Sequence, residues 1–322
     1  MIPVMQIEET SKICNEIIKE VSRHIIGKND VLRKVILAFL ADGHILFEDY
    51  PGLAKTMICR SFATTLGCDF NRIQFTPDLL PQDLTGSEIY NQKTNDFEFK
   101  PGPIFSDIIL ADEINRATPK TQSALLEAMG EYQVTVGGNT YPLSQEKPFL
   151  VVATQNPLEL EGTFALPEAQ IDRFLALIRI GYPSKEAEKT ILTNRINRKK
   201  KDFDVSQITD RSTFYKMQRS IENVHVSEEI KEYIVEIVTQ TRNMRSVKVG
   251  SSPRGSLDLM ALIRANAVLN RRDYVIPQDV KDLASTTLAH RMILEISSWL
   301  SGTSAESIIE NILEKIKAPR RE

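Results

Sequence analysis

The sequence contains few of the residues on which disulfide-bonded and metal-binding proteins depend. Its 322 residues include three cysteines and four histidines, namely Cys14, Cys59, Cys68, His24, His44, His225 and His290. The cysteines have neither metal-ligand spacing nor the paired pattern of a secreted scaffold, so we expect reduced thiols, and the scattered histidines indicate no metal site. No apolar segment approaches the ~20 residues needed to span a bilayer, and the first residues do not combine a basic flank with a long apolar region. We therefore expect a cytoplasmic protein without a membrane span.

An excess of positive charge is also missing. The 40 lysines and arginines are outnumbered by 43 aspartates and glutamates, which gives a formal net charge of −3. The pI is near 6.0, and this balance provides no global attraction for nucleic acid. The most basic local run lies at residues 195–201 and contains Arg198-Lys199-Lys200-Lys201. We interpret it as a solvated helix end or a linker.

The most informative feature that is present is a short apolar run followed by a Pro-Gly turn, a lysine and a threonine. Ile45-Leu46-Phe47 leads into Glu48-Asp49-Tyr50-Pro51-Gly52-Leu53-Ala54-Lys55-Thr56, and residues 57–66 have a helical pattern. This order of strand, loop and helix is typical of nucleotide-binding loops, whose backbone N–H groups and following helix hold phosphates. We expect Lys55 to contact the β- and γ-phosphates and Thr56 to bind Mg²⁺ through its hydroxyl.

Two positions of this loop depart from the usual pattern. Glycine normally stands at both ends, where this chain has Asp49 and Ala54. Because Asp visits left-handed backbone conformations more readily than most residues, we expect Asp49 to be tolerated there. A Pro-Gly turn with a solvated lysine stays the alternative for this segment taken alone.

Two adjacent carboxylates stand at the end of a buried-strand pattern. The run Ile108-Ile109-Leu110-Ala111 is followed directly by Asp112 and Glu113. In a nucleotide site the first acid holds hydrated Mg²⁺, and the second orients and deprotonates the attacking water. Taken alone, the pair is also compatible with an ordinary strand end that is capped by solvated acids.

A third apolar strand pattern ends in a polar amide. Phe149-Leu150-Val151-Val152-Ala153 runs into Thr154-Gln155-Asn156-Pro157. Because ligands of open α/β sheets gather at the carboxyl edge of the strands, we expect Asn156 to contact the γ-phosphate or the attacking water. An Asn-Pro pair by itself indicates only a turn, so this expectation depends on the order of the three strands.

Taken in order, these segments resemble the MoxR branch of the AAA+ ATPases over nearly the whole chain, from about residue 25 to the C-terminal helices. The resemblance is carried by Pro51-Gly52-Leu53-Ala54-Lys55-Thr56, Ala111-Asp112-Glu113-Ile114-Asn115-Arg116-Ala117, Pro119-Lys120-Thr121-Gln122-Ser123-Ala124-Leu125-Leu126-Glu127-Ala128-Met129, Ala153-Thr154-Gln155-Asn156-Pro157, Glu161-Gly162-Thr163, Leu166-Pro167-Glu168-Ala169-Gln170-Ile171-Asp172-Arg173-Phe174 and Gly181-Tyr182-Pro183. It implies an α/β P-loop AAA+ nucleotide-binding domain, with a parallel sheet and flanking helices, and an all-α C-terminal lid domain.

The resemblance also implies a ring of subunits, hexameric in this family, with each ATP site between two neighbours. Arg173 then corresponds to the arginine finger that reaches the adjacent subunit's nucleotide, which makes it catalytic together with Glu113 and Asn156. Arg254 resembles the lid arginine that contacts the γ-phosphate. Whether Arg254 serves its own site or a neighbour's stays open, and Arg116 is a lesser candidate for a contact across the boundary.

The same resemblance assigns the remaining ATP contacts. Ile25-Ile26-Gly27-Lys28 corresponds to the segment that holds the adenine, for which a flat apolar slot with a few backbone hydrogen bonds is suited. The alternative is that both isoleucines are core residues at a helix start. The expected cofactor contacts are therefore Ile25, Ile26, Asp49, Tyr50, Pro51, Gly52, Leu53, Ala54, Lys55, Thr56 and Met57, with Thr56 and Asp112 toward Mg²⁺, the latter through water.

Periodicity along the chain predicts two domains. We expect residues 1–183 to form the α/β core, with an N-terminal helix within residues 1–24, and residues 184–322 to form the helical lid. Long helical patterns cover residues 227–242 and 256–270. Two hairpins are expected within the core, turning at Lys93-Thr94-Asn95-Asp96 and at Gly137-Gly138-Asn139. By resemblance these hairpins face the pore or a partner, and the alternative is a loop extension without a role.

The function implied is Mg²⁺-dependent ATP hydrolysis that remodels or matures other proteins, with client proteins that carry a von Willebrand factor A domain. No residue of the chain identifies the client, because a fold alone does not specify one. A nucleic-acid motor is one alternative, since relatives with similar inserts include replicative helicases, and the charge balance argues against it. An ATP-binding scaffold with little turnover is the other, and the retained lysine, threonine, paired acids and asparagine argue against that.

Overall fold

Strands and helices alternate through the first half of the computed structural model, which describes residues 5–157, 162–200 and 203–319. The strands are β1 (Ile45–Glu48), β2 (Phe70–Gln74), β3 (Gly86–Asn91), β4 (Asp96–Pro101), β5 (Ile108–Asp112), β6 (Gln133–Val136), β7 (Asn139–Pro142), β8 (Leu150–Gln155), β9 (Ala176–Ile178), β10 (Val247–Val249) and β11 (Ile293–Leu294). The helices are α1 (Ile7–Ser22), α2 (Asn29–Leu40), α3 (Lys55–Leu66), α4 (Pro81–Thr85), α5 (Pro119–Glu131), α6 (Glu168–Ile171), α7 (Lys185–Arg198), α8 (Arg211–Ser220), α9 (Glu228–Asn243), α10 (Pro253–Leu269), α11 (Pro277–Leu288), α12 (Ile296–Leu300) and α13 (Ala305–Lys315). Glu161 and Lys201, which belong to segments singled out above, lie outside the described residues.

The central sheet has five parallel strands in the order β2-β5-β8-β1-β9. The three strands expected from apolar runs lie next to one another in its middle, where Ile108 pairs with Leu150 and Ile45 pairs with Val152. Strands of a parallel sheet are covered by helices on both faces, which is why these runs are continuously apolar. The carboxyl ends of these strands therefore meet at one edge, as the site requires.

Neighbouring residues of each central strand enter two different hydrophobic cores. Ile45 and Phe47 pack in the core that also contains α1, α2 and α3, whereas Leu46 packs in the core that contains α5. This division follows from the two-residue period of a strand, which points successive side chains to opposite faces. The sheet is thus held between helices on both sides, and the expected α/β fold is confirmed.

The C-terminal part is helical, as expected, and contains one short antiparallel ribbon in addition. The ribbon pairs Val247 with Leu294. Helices begin at serine caps: the hydroxyl of Ser184 accepts from the N–H of Ala187 at 3.2 Å, and that of Ser227 accepts from the N–H of Ile230 at 3.4 Å. Such caps satisfy N–H groups that have no partner within the helix. The two long helical patterns correspond to α9 and α10.

Both expected hairpins are present. Strands β3 and β4 pair from Gly86 with Pro101 to Asn91 with Asp96, and β6 and β7 pair across a two-residue turn. That turn is formed by Gly137 and Gly138, whose φ angles of 58° and 83° suit the twist of a tight hairpin. Each hairpin forms a two-stranded sheet of its own, separate from the five-stranded sheet.

Three ionisable side chains, the buried His44 and the partly buried Asp42 and His290, lie where the core meets the lid or the sheet. Asp42, next to the end of α2, accepts a hydrogen bond from Gln218 Nε2 at 3.1 Å, and burial raises its pKa to about 7. Burial lowers the pKa of His44 to about 4 and that of His290 to about 3. Both histidines are therefore neutral at physiological pH.

The cysteines are free thiols. Cys14 and Cys59 are buried and Cys68 is partly buried. Burial raises the pKa of Cys14 and of Cys68 to about 12, so neither forms a reactive thiolate at neutral pH. Across the described residues, no helix has both the length and the apolar character required to cross a bilayer.

Candidate functional site

The loop between β1 and α3 has the backbone conformation of an anion-binding turn. Gly52 and Ala54 have φ angles of 84° and 61°, which lie in the left-handed region. For alanine this conformation costs roughly 1–2 kcal/mol, so the surrounding structure must impose it. Ala54 directly precedes α3 and has no side-chain acceptor with which to cap it. The first N–H groups of α3 are therefore available to an anion.

A cavity of about 420 Å³ opens beside this loop, and we call it the loop cavity. It is lined by Pro51, Gly52, Leu53, Ala54, Lys55, Thr56, Met57, Arg72, Asp112, Glu113, Thr154 and Asn156. The structure thus brings together the lysine, the threonine, the paired acids and the asparagine that were singled out from the sequence. Lys55 Nζ donates to the backbone oxygen of Asp49 at 2.6 Å, which folds the lysine over its own loop.

The two acids at the end of β5 have separate sets of partners. Asp112 Oδ2 accepts from Arg72 Nε at 2.9 Å and from Arg72 Nη2 at 2.7 Å. Glu113 Oε2 accepts from Gln74 Nε2 at 2.7 Å and from Arg116 Nη1 at 2.9 Å. Glu113 also has a φ of 57°, a strained conformation that turns the chain away from the strand at this point. The two carboxylates are thus held by different side chains on β2 and in the turn after β5.

Thr154, in the adjacent strand β8, connects the two acids. Its hydroxyl donates to Asp112 Oδ1 at 2.7 Å and accepts from the backbone N–H of Glu113 at 2.8 Å. The residue is almost wholly buried, so both bonds are shielded from water. A buried, fully used hydroxyl of this kind fixes its neighbours more strongly than an exposed one does.

A second cavity of about 350 Å³, the apolar cavity, shares four lining residues with the loop cavity: Gly52, Leu53, Ala54 and Met57. Its other apolar lining residues are Ile25, Ile26, Ile180, Pro183, Ile191, Leu192 and Phe203. The structure therefore places both isoleucines of the N-terminal segment beside the loop. Polar and basic side chains line the rest of this cavity, among them Arg23, Lys28 and Arg195. A largely apolar cavity next to an anion-binding loop is suited to the base of a nucleotide.

Asp49 and Tyr50 are not among the residues that line these two cavities. Asp49 is buried, and its carboxylate accepts from the backbone N–H groups of Ile180 and Gly181. The expectation that Asp49 occupies the left-handed position was wrong, because Ala54 has that conformation instead. The ring of Tyr50 stacks on Tyr182 at 5.9 Å between centroids. Both residues connect the loop to the segment that follows β9.

This segment, residues 180–182, is also held from the other side of its backbone. Lys28 Nζ donates to the backbone oxygens of Ile180 and Tyr182 at 2.7 and 2.8 Å. Gly27, with a φ of 74°, lies so close to α7 that an added Cβ would be 2.8 Å from the Cβ of Ala187. The N-terminal segment, the loop and the start of the lid therefore meet around the apolar cavity.

The two arginines assigned to catalysis lie elsewhere. Arg173 Nη1 donates to the backbone oxygen of Leu126 in α5, and the side chain lines a surface recess with Glu127 and Glu131. Arg254 Nη2 donates to the backbone oxygen of Arg173 at 3.5 Å. Neither arginine lines the loop cavity of its own chain. The structure thus brings these two arginines to each other and away from Glu113.

Three polar residues that line the loop cavity or bind its two acids were not predicted from the sequence: Arg72, Gln74 and Thr154. The first two lie on β2, a half-buried edge strand whose mixed sequence Phe-Asn-Arg-Ile-Gln gives no strand signal. Thr154 lies inside a segment that was noted only for its asparagine. All three lie toward the carboxyl ends of strands that neighbour β5. Once the strand order is known, polar residues at those places can be recognised as candidates for the site.

Comparison with known proteins agrees with this arrangement. A family model described as "ATPase family associated with various cellular activities (AAA)" matches residues 44–176, and one described as "AAA lid domain" matches residues 239–312. The uncharacterized protein YeaC of Bacillus subtilis is 49% identical over 313 residues, which cover 97% of each chain. Chaperone MoxR1 of Mycobacterium tuberculosis is 41% identical over 310 residues, which cover 94% of this chain and 81% of that protein.

A solved structure supports the same relationship at the level of coordinates. The crystal structure of a proposed ATPase from Cytophaga hutchinsonii superposes with a TM-score of 0.89 at 42% sequence identity. The superposition covers 97% of this chain and 96% of the other. The core and the helical part therefore share their arrangement with a solved structure.

Proposed function

Because this chain belongs to the MoxR family of AAA+ ATPases, we propose that it hydrolyses ATP with Mg²⁺ in a hexameric ring and uses the cycle to remodel or mature partner proteins. The observation that carries this proposal is the shared border of the loop cavity and the apolar cavity at residues 52–54 and 57. One nucleotide spans both, with its phosphates at the loop and its base in the apolar cavity beside Ile25 and Ile26.

The lining of the loop cavity supports a division of roles at the phosphates. Lys55 exchanges its backbone oxygen partner for the β- and γ-phosphates, and the N–H groups that begin α3 hold the same anion. Thr56 and Asp112 would hold Mg²⁺, the latter through a water molecule, because a hydroxyl and a carboxylate are oxygen ligands that this ion prefers. When bound, Mg²⁺ would neutralise charge on the phosphates.

Glu113 is the base in this proposal, and Asn156 orients the water or the γ-phosphate. The bonds from Gln74 and Arg116 hold the glutamate carboxylate in place. A fixed carboxylate removes a proton from water more effectively than a mobile one, because no orientation is lost in the transition state. We assign Glu113 to the nucleotide of its own chain, since Glu113 and the phosphate-binding loop line the same cavity.

Arg173 and Arg254 serve a neighbouring subunit's nucleotide. The support for this assignment is that Arg173 lines a recess separate from the loop cavity of its own chain, and that Arg254 donates to the backbone oxygen of Arg173. An arginine that arrives from a neighbour stabilises charge on the transferring phosphoryl group, an effect worth about 10³–10⁵ in rate. A ring completes every site in this way.

Two substitutions and a mixture test the proposal. Glu113→Gln keeps the binding of a fluorescent ATP analogue and abolishes turnover, whereas Lys55→Ala weakens binding itself. Inactive Arg173→Ala and Glu113→Gln subunits regain turnover when they are mixed, because one lends its arginine to the other's intact site. Normal turnover in the Glu113 variant, or no recovery in rings shown by native mass spectrometry to be mixed, would refute the corresponding role.

We further propose client proteins that carry a von Willebrand factor A domain, a choice that rests on family membership alone. The Glu113→Gln protein, held in its ATP state, is the suitable probe, and Lys55→Ala is its matched control because it cannot load ATP. A purified von Willebrand factor A domain is expected to bind the first and not the second in sedimentation experiments. Equal binding to both would remove the link between the client and the nucleotide.

A further inference from the structure

The turn formed by Asp172, Arg173 and Phe174 is bonded to the lid at each of its three residues. The Asp172 carboxylate accepts from Ser252 Oγ at 3.2 Å and from Arg291 Nη1 at 3.2 Å. The backbone oxygen of Phe174 accepts from Arg291 Nη2 at 2.7 Å. Together with the contact from the lid arginine to the oxygen of residue 173, these bonds fix the backbone on both sides of Arg173.

Arg291 is the centre of this arrangement. Its side chain is 1% exposed and reaches three acceptors, namely Asp172, the Phe174 oxygen and Asp258 of α10. A buried guanidinium is retained where its planar group of donors matches several acceptors at once, a task that a lysine ammonium performs poorly. The residue therefore joins α10 of the lid directly to the 172–174 turn.

His290 adds a fifth bond between the lid and the turn. Its Nε2 donates to the Phe174 oxygen at 2.9 Å, and since this partner can only accept, Nε2 carries the proton. Burial lowers the pKa of His290 to about 3, so the ring stays neutral and the bond persists at any physiological pH. This one bond between the turn and the lid therefore does not respond to pH in the physiological range.

The part of the core that precedes the turn contributes little of its own. Helix α6 has four residues and none of them is buried. A single turn of helix with no buried side chain is not stable by itself. The position of Arg173 is therefore determined by the lid bonds and the contact with α5, together with the neighbouring Phe174 side chain, which is buried in the core.

We propose that Arg291 is a positioning residue for Arg173, so that the lid of each subunit determines the position of the arginine that serves the neighbouring subunit. The inference rests on the proposed role of Arg173. When the lid of one subunit moves, Arg291 moves the 172–174 turn with it, and the neighbour's site gains or loses its arginine. Nucleotide state is thereby passed from one subunit to the next through the lid.

Arg291→Lys tests this inference, because it keeps a positive charge between Asp172 and Asp258 and loses the simultaneous grip on three acceptors. We expect turnover to fall about tenfold or more, as for a misplaced catalytic group, with the affinity for a fluorescent ATP analogue within about twofold of wild type. The matched control is Arg272→Lys, which alters a two-bond ion pair to Asp279 that lies within the lid. Turnover of the control is expected to stay at the wild-type level.

Mixed rings give a readout that a loss of folding would not mimic. The Arg291→Lys subunit keeps an intact nucleotide site, so excess Glu113→Gln subunits, which carry a properly held Arg173, are expected to restore its turnover by about fivefold or more. Excess Arg173→Ala subunits supply no arginine and are expected to restore nothing. This asymmetry identifies the defect as one of the arginine that is donated, not of the site that receives it.

The outcomes separate the inference from the function on which it rests. If Glu113→Gln rescues Arg173→Ala and does not rescue Arg291→Lys, Arg291 does not act through the arginine and the inference fails alone. If Glu113→Gln rescues neither, Arg173 does not act across the interface and both fail. Should Arg291→Lys not fold, Ser252→Ala takes its place, since Ser252 bonds Asp172 and makes no side-chain cap for α10. The same one-sided rescue is then expected, and its absence would overturn the inference.

Discussion

A methyl group added at Gly130 is expected to displace Arg173 without harming the fold. Gly130 is the next-to-last residue of α5, and a Cβ built on it would lie 2.4 Å from Arg173 Nη1 and 3.2 Å from its Cζ. Non-bonded heavy atoms settle at about 3.5–4.0 Å, so the guanidinium must move by about 1 Å or more. The guanidinium is the far end of a flexible side chain and can move, with loss of its bond to the Leu126 oxygen, while the helix stays in place.

The magnitudes for Gly130→Ala follow from these distances. A displacement of about 1 Å at a catalytic group costs up to about 10²-fold in rate, so we expect turnover to fall between about 10- and 100-fold. Alanine is better than glycine within a helix by up to about 1 kcal/mol, less near a helix end, so the free energy of unfolding should rise by about 0.3–1 kcal/mol. For a chain of this length that increase corresponds to about 1–2 °C in Tm.

The assay is ATP turnover at saturating nucleotide, paired with thermal unfolding followed by circular dichroism. The informative result is a variant that is slower and slightly more stable, since simple damage would lower both quantities. Gly130→Ala in an Arg173→Ala background is the control and should slow turnover no further, because the group that it displaces is absent. Unchanged turnover in the single variant would refute the reasoning, and faster turnover would mean that the Leu126 contact is a resting position.

Three further expectations concern the acids and the buried titratable groups. Thr154→Val removes the buried hydroxyl that joins the two acids, so the free energy of unfolding in chemical denaturation should fall by about 1–3 kcal/mol. Turnover should slow about tenfold with little change in ATP affinity. Turnover equal to that of wild type would show that the acids need no such link. Arg72→Gln removes the cation that is paired with Asp112, so the Asp112 carboxylate should attract Mg²⁺ more strongly. The Mg²⁺ concentration that half-saturates the fluorescent nucleotide complex should then fall about three- to tenfold. A rise in that concentration would assign Arg72 to the phosphates instead. In the folded protein the pKa of Asp42 is raised to about 7. The contribution of Asp42 to the free energy of unfolding is therefore fully present at pH values below its unfolded pKa of about 4, and it is lost as the pH rises to about 7. Asp42→Asn should therefore gain about 1–3 kcal/mol relative to wild type between pH 5 and pH 8, and a constant difference in denaturation curves would contradict the burial argument.

How much of the fold the sequence predicts depends on how deeply each strand is buried. The runs that form β1, β5 and β8 are apolar throughout because helices cover both of their faces, and they were recognised as strands. Strand β2 is a half-buried edge, and β9 has three residues. Neither leaves a pattern long or apolar enough to read, so the two edges of the sheet and the polar residues on β2 emerge only from the structure.

Residues of the candidate site could be predicted where the chemistry depends on the types of residue within one short segment of the sequence. Lys55, Thr56, Asp112, Glu113 and Asn156 follow from the sequence and the structure gathers them in one cavity. The partners that orient the acids come from other strands, and pairing between distant strands is not written in any local pattern. The same limit applies to Asp49, because the backbone N–H groups that it binds lie 131 and 132 residues further along the chain.

The attachment of residues 180–182 makes the position of this segment depend on side chains that lie far from it in sequence. Asp49 binds the N–H groups of this segment and Lys28 binds its carbonyl oxygens. Because every one of these bonds ends on the main chain of the segment, none of them requires a particular side chain there. They require Asp49 and Lys28, which lie more than a hundred residues away in sequence. A substitution at either of those two positions would therefore alter the support of residues 180–182 without any change in the segment itself.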